Sequence, residues 1–303
     1  MPSTISLLGV YSLNSDSTIL GEVHYQATDF GKHADPVENH HCSAASYYVN
    51  GRQIVGRNFD LPSDRPHYFV DLQMTGTYKV MGHTVYDITG EVVDGINEKG
   101  FSLCEASNVG VRRDGDDWAV DKAKYTSRKP YPRVPAVVFW HMMQIVMQTC
   151  ATVDEALTLL RTVPVWFPAH WRGLDLPGTH WLLADATGKA VVVEWSPDDH
   201  RLIVFDKPGP YELLTNLTFQ EGEAFLVEKC PRYRKAKPLL ETGVRNTADM
   251  LAVMKAMRAT GPGRSLWISV MDLNARTFEV RYFKEFDRKY EFRFSPGAGA
   301  APP

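Results

Sequence analysis

Two hydrophobic rhythms alternate along the chain. Period-two runs rich in Val, Ile, Tyr and Phe, bounded by Gly, Asn and Asp, predict strands joined as hairpins. SAASYYV and QIVGRNF flank Asn50-Gly51, the pair that best supports a two-residue turn, and so predict one hairpin. GEVVDGI and FSLCEAS flank residues 97–100, and HWLLA and AVVVEW flank DATGK, with RLIVFD following. LWISVMDL and RTFEVRYF flank Asn274-Ala275, and KYEFRF supplies the last strand. Three segments carry the helical rhythm instead. Residues 134–149 predict one helix, with Met142, Met143 and Met147 as core. Thr152 and Glu155 stand at capping-box spacing before ALTLLR and start a second. Residues 247–259, with Met250, Leu251, Met254 and Met257 along one face, predict a third. Antiparallel strands with helices in separate blocks predict an α+β layered fold. Neither GxGxxG nor GxxxxGK[ST] follows a strand, which argues against a phosphate cradle.

Charge and composition narrow the partners. The 303 residues carry 33 Lys+Arg against 36 Asp+Glu, a net charge of −3, which argues against nucleic acid or an anionic membrane as the main partner. No stretch approaches the roughly 18 apolar residues of a membrane span. The opening MPSTISLLGVYS lacks the cationic region of a signal peptide, so a cytoplasmic protein is expected. Four cysteines, at 42, 104, 150 and 230, are too few for a disulfide framework and fit a reducing compartment. Residues 1–41 hold one basic residue, Lys32, against Asp16, Glu22, Asp29, Asp35 and Glu38, while SPGAGAAPP reads as a flexible tail.

The chemistry concentrates at HHCSAASYYVNGRQIVGRNFDL, residues 40–61. With Val49 opposite Arg52, Cys42 faces Phe59, and Arg57 lies one diagonal away on the same face, at roughly 7–8 Å. A guanidinium there favours a thiolate. Asp60 falls opposite His41, beside the backbone nitrogen of Cys42. Cleavage between His41 and Cys42 frees an α-amine whose pKa, roughly 7.7–8, suits a general base. Asp60 is placed to orient that amine. The plainer reading is a small buried thiol beside an ordinary Arg57–Asp60 ion pair.

Residues 42–61 resemble the start of the mature chain in the choloylglycine hydrolase, penicillin V acylase and isopenicillin-N acyltransferase group of N-terminal-nucleophile hydrolases. There a leading Cys is followed by a hairpin reading G-[RKHQ]-N-x-D, as Gly56-Arg57-Asn58-Phe59-Asp60 reads here. DGINEKGFSLCEASN, CATVDEAL, HWLLADATGKAVVVEW, LLTN, PRYRKA and LWISVMDLNARTFEVRYF resemble further family segments in family order. The resemblance implies a four-layer αββα sandwich. It implies a leader over 1–41, a catalytic domain over 42–294 and a tail over 295–303. It also implies Cys42 as nucleophile, Arg57 tuning the thiol, and Asp60 holding the amine. Asn216 would support the oxyanion or orient the amine, Asn108 (or Ser107) would serve the oxyanion hole, and Arg232 (or Arg234) would be the site arginine.

The function so implied is a self-processing cysteine amidase for non-peptide linear N-acyl amides, working through a thioester. The alternatives are acyl transfer to an amine acceptor and a binding protein that keeps the fold without activity. The partner is a small N-acyl amide, no cofactor is expected, and family members often form homo-oligomers. The short spacing from Asn216 to Arg232 fits the compact acyltransferase and linear-amide branch. Zinc at His33, His40, His41 and Cys42 is the weaker reading, since neighbours on a strand face opposite ways. His141, His170 and His180 read as packing or pocket residues, and Cys104, Cys150 and Cys230 as structural. In VWFPAHWRGLDLPG, Trp166, Phe167 and Trp171 either wall an acyl pocket or cap the sandwich.

Overall fold

In the computed structural model, which describes residues 5–6, 11–14, 17–23, 42–60, 67–72, 76–85, 92–108, 137–167, 170–171, 174–175, 178–196, 201–260 and 264–294, the hairpins assemble into two antiparallel sheets. The larger has ten strands: β1 (Ile5–Ser6), β2 (Tyr11–Asn14), β3 (Ser17–Val23), β6 (His67–Leu72), β7 (Val80–Val85), β8 (Asp94–Asn97), β9 (Phe101–Asn108), β14 (Gly178–Asp185), β15 (Ala190–Trp195) and β16 (Leu202–Phe205). Their order is β1-β3-β6-β7-β8-β9-β14-β15-β16, with β2 on β3. The smaller has six, ordered β17 (Tyr211–Leu214), β4 (Ser43–Val49), β5 (Arg52–Asp60), β18 (Ser265–Asp272), β19 (Thr277–Tyr282) and β20 (Tyr290–Arg293). Two small ribbons pair β10 (Val137–Val138) with β11 (Val165–Trp166) and β12 (His170–Trp171) with β13 (Leu174–Asp175).

The sheets face each other, and their inner faces share one core that includes Phe59, Phe69, Leu182, Trp267 and Phe278. Helices α1 (Phe139–Thr149) and α2 (Val153–Thr162) pack on the larger sheet, where Asn97 Nδ2 donates to the Met147 and Cys150 carbonyls at 2.8 Å each. Helices α3 (Gly222–Lys229), α4 (Pro231–Thr242) and α5 (Thr247–Met257) cover the smaller one through Ala45, Ile54, Ile268 and Val270. This is the expected αββα order. Strands β1–β3 belong to residues 1–41, so the larger sheet runs on into the expected leader.

The central hairpin forms as its sequence predicts. Asn50 and Gly51 take φ of 50° and 75°, and Val49 pairs with Arg52 in unbroken register to Ser43 and Asn58. Gly56 has a second reason to be glycine. A Cβ there would meet Met254 and Met250 side-chain atoms at 2.7 to 2.9 Å, so its hydrogen lets α5 lie close on β5. Three elements differ from expectation. Residues 137–138 are extended and α1 begins at Phe139, because the Val137 N–H donates to Pro164 O instead of entering a helix. The β18–β19 loop has four residues, with Asp272 opposite Thr277. The Asp272 carboxylate accepts from the Asn274 and Ala275 N–H groups, and Arg276 takes the left-handed conformation, φ 54°. Helix α3 has no counterpart in the sequence reading, its apolar side being only Leu226 and its neighbours.

Candidate active site

Cys42 stands just ahead of β4, buried, at the end of the sandwich where β4 begins and β5 ends. Its thiol lies 3.9 Å from the Asp60 carbonyl oxygen. The β4–β5 register puts Ala44 opposite Arg57, so Arg57 points into the space between the sheets. Its guanidinium donates to Asn58 O at 2.5 Å, reaches Ser43 O at 3.5 Å, and lies 5.2 Å from the Phe59 ring centre. Phe59 stacks flat on Trp267 at 4.2 Å, and Trp267 stacks on His83 at 4.3 Å. Behind this stack Asp94 accepts from His83 Nδ1 at 3.1 Å and Trp267 Nε1 at 3.0 Å. The pocket for the arginine is thus aromatic, with a buried carboxylate at its back. Asp60, also buried, pairs across the ladder with Ser265.

A second arm reaches Cys42 from the other side. At the start of α4, Arg232 Nη1 donates to the Cys42 carbonyl at 2.5 Å, and Nη2 to Asn216 Oδ1 at 2.8 Å. Asn216 Nδ2 donates to Ser107 O at 2.8 Å, so one unbroken chain runs from Cys42 through Arg232 and Asn216 to β9. Arg234 instead lies exposed, turned to the Val227 and Glu228 carbonyls of α3. Of the two arginines, Arg232 is the one that meets Cys42. Asn108 is fully buried with its amide nitrogen 3.0 Å from Glu194 Oε1 and 3.1 Å from His180 Nδ1. Its side chain serves that pair, and the amide joined to Arg232 is that of Asn216.

With this geometry in hand, likeness to known proteins decides the family. Residues 48–227 match the linear amide C–N hydrolases of the choloylglycine hydrolase family, a span holding Arg57, Asp60, Asn108 and Asn216. The chain belongs to that family of hydrolases. Among solved structures it is similar to a variant of conjugated bile acid hydrolase from Clostridium perfringens, with TM-score 0.62 and 16% identity over 82% of this chain and 92% of that one. It is similar also to penicillin V acylase from Agrobacterium tumefaciens, with TM-score 0.58 and 17% identity over 80% and 83% of the two chains. Both likenesses speak for the N-terminal-nucleophile hydrolase fold. No curated protein sequence matches the chain.

Burial dominates the electrostatics of the hydrolase's site. It pushes the Cys42 thiol up, Arg57 pulls it down, and Glu105 and Asp60 push it up again; the net shift is upward. Arg57 favours the thiolate, as the sequence leads one to expect, but burial outweighs it, and the thiol needs a base. Arg57 is itself held charged: burial opposes the charge, but Cys42, Asp94, Cys104 and Glu105 outweigh it. Burial raises Asp60 to about 7, against the opposing pull of Arg232, Ser265 and Arg57. Ser265 draws it down, yet neither carboxylate oxygen closes a hydrogen bond of good geometry among the described residues. Such a carboxyl stands ready for a cationic partner.

A pH effect follows from Asp60. With its folded pKa of about 7 above the ordinary 3.8, its contribution to stability is fully present below about pH 4 and is lost as pH rises through 7. In a Cys42→Ala chain, Asp60→Asn removes that loss. The substitution is expected to raise Tm by a few degrees more at pH 8 than at pH 5. Equal Tm differences at both pH values would contradict the buried, proton-holding carboxyl.

The remaining candidates fall elsewhere. Phe167 is packed in the core, 5.5 Å from Phe139 and 4.9 Å from Trp195, so it caps the larger sheet and does not line an open pocket. The side chains of Trp166, Trp171 and His170 lie outside the described residues, as do His33, His40 and His41. Among the described residues no cluster of three or more His, Cys, Asp or Glu has the arrangement of a metal site. Cys104, Cys150 and Cys230 are buried free thiols, and Cys230 caps α4 by accepting from Tyr233 N. No helix among the described residues is long and apolar enough to cross a membrane. Sequence reasoning missed Asp94, His83 and Glu194. Each is a polar residue on the inward face of a strand otherwise apolar on that side, and that conflict with the burial pattern is the signal that marks them.

Proposed function

We propose that the chain is a self-processing cysteine amidase that hydrolyses small N-acyl amides through a thioester on Cys42. The observation that carries this reading is the convergence on one buried thiol of Arg57, of Asp60, and of the Arg232–Asn216 chain bonded to the Cys42 carbonyl. In the first reaction the bond between His41 and Cys42 is cleaved, with water consumed, leaving a carboxylate on His41 and an amine on Cys42. That amine supplies the base that the raised thiol needs, and it supplies the cation that Asp60 is ready for.

In turnover the amine takes the Sγ proton and the sulfur attacks the amide carbonyl carbon. Asn216 has two N–H donors, one engaged with Ser107 O, and the other is offered to the developing oxyanion. The C–N bond then breaks as the leaving amine takes the proton from the Cys42 ammonium. Water, deprotonated by the same amine, attacks the thioester carbonyl; the C–S bond breaks, the ammonium returns its proton to the sulfur, and the acid is released. Arg232, holding both Asn216 and the Cys42 carbonyl, fixes the distance between oxyanion donor and nucleophile. The leader is proposed to stay with the catalytic chain, because β3 pairs with β6 along six residue pairs and would otherwise leave that sheet edge open.

Incubation with a panel of N-acyl glycines, N-acyl 4-nitroanilides and penicillin V, with and without added amine acceptors, tests the reading. Free acid and free amine in equal amounts are expected. Transfer of the acyl group to the added amine in preference to water would make the enzyme an acyltransferase. Failure of the whole panel to be cleaved, with Cys42 unmodified, would sink the amidase reading.

A further inference from the structure

Glu194 and His180 lie outside the proposed chemistry, yet among the described residues they form a dense buried polar cluster beside it. The Glu194 carboxylate receives contacts from five groups. Oε1 accepts from Asn108 Nδ2 at 3.0 Å, from Phe219 N at 2.8 Å, and stands 2.8 Å from His180 Nδ1. Oε2 accepts from Thr218 Oγ1 at 2.7 Å and Gln220 Nε2 at 3.2 Å. His180 Nε2, on the far side of its ring, lies 2.5 Å from Thr215 O. These donors pull the Glu194 carboxyl below its ordinary range despite its burial.

What these contacts hold matters more than their number. Glu194 and His180 project inward from β15 and β14 of the larger sheet, while Thr215 to Gln220 follow β17, the edge of the smaller one. The cluster therefore ties the two sheets together where the sandwich meets the site. It fixes the backbone on both sides of Asn216: Thr215 O before it, and Thr218, Phe219 and Gln220 after it. It also grips Asn108, the neighbour of Ser107, whose carbonyl Asn216 bonds.

We propose that Glu194 and His180 are positioning residues that set Asn216 against Cys42, so that their loss is felt in turnover through the Asn216 amide. This rests on the catalytic role given to Asn216 above. The test is a double-mutant cycle on an N-acyl 4-nitroanilide, read as kcat and KM at matched Tm. Glu194→Gln replaces a five-fold acceptor by a group that cannot accept at both positions. It is expected to lower kcat about 10²-fold with little change in KM. In an Asn216→Ala enzyme the same substitution is expected to change kcat less than about threefold, because the group it positions is gone.

A full 10²-fold loss in the Asn216→Ala enzyme, or no loss of kcat in the parent, would overturn the proposal. Should Glu194→Gln not fold, Thr218→Val, which removes one partly exposed donor to Oε2, takes its place in the cycle. A smaller loss that again disappears on Asn216→Ala supports the proposal, and an additive loss overturns it. An Asn216→Ala enzyme with wild-type kcat would instead refute the oxyanion role itself, and the positioning role with it.

Discussion

Replacing Cys42 by Ala is expected to lower amide hydrolysis by at least about four orders of magnitude, to the background, and to leave the peptide bond before it uncut. Both outcomes come from one atom. In the proposed mechanism the sulfur is the nucleophile in cleavage and in turnover, and without cleavage there is no α-amine to serve as base. The fold is expected to survive. Cys42 is a small buried side chain whose thiol makes one long contact, 3.9 Å, to the Asp60 carbonyl, so its truncation costs on the order of 1 kcal/mol. A circular dichroism melt and a turnover assay on the same preparation separate chemistry from stability. An active Cys42→Ala chain would remove the mechanism at its root.

The second large effect belongs to Arg57. Burial raises the Cys42 thiol, and Arg57 is the first of the forces that oppose it. Its guanidinium is fully buried, 5.2 Å from the Phe59 ring centre, with Asn58 O as its 2.5 Å acceptor and the Asp94 carboxylate among the charges that hold it ionised. Arg57→Leu is expected to raise the pH midpoint of Cys42 alkylation by about 1–2 units and to lower kcat/KM about 10²-fold or more. It also strips a buried network of its cation, a loss on the order of 3–5 kcal/mol of stability when one partner of a buried pair is removed. Arg57→Lys keeps the charge without the planar fork, and is expected to keep the alkylation midpoint near wild type while turnover falls by less. Following iodoacetamide labelling of the Cys42 peptide by mass, apart from the Cys104, Cys150 and Cys230 peptides, gives the midpoint directly. An unchanged midpoint in Arg57→Leu would take Arg57 out of thiol activation.

The sandwich was legible wherever local turn chemistry and alternation agreed. Asn50-Gly51 has one good solution, and it brought Cys42, Arg57 and Asp60 to one end of one hairpin before any tertiary contact was considered. The β18–β19 loop was misread because Asn274-Ala275 looks like a two-residue turn only while the Asp272 carboxylate is left out of the count. Helix α1 was overextended because Val137 and Val138 suit either state, and the Pro164 carbonyl, far along the chain, decides. The site divides in the same way. Asp60 and Arg57 share a strand, so register places them; Arg232 and Asn216 meet Cys42 only through packing, and only the likeness of PRYRKA and LLTN to family segments pointed to them. The direction of the Asn108 side chain lies beyond sequence reasoning altogether. It depends on Glu194, which sits on another strand and draws the amide toward itself.

The most direct test of the account is intact mass spectrometry of the purified protein before and after a rapid acid quench with a turned-over N-acyl amide. The account predicts a chain that begins at Cys42, co-eluting with a separate leader ending at His41. After the quench it predicts that chain heavier by one acyl group, mapped to the Cys42 peptide and absent from Cys42→Ala. A fully active, uncut 303-residue chain, or an acyl group mapped to any other residue, would contradict it.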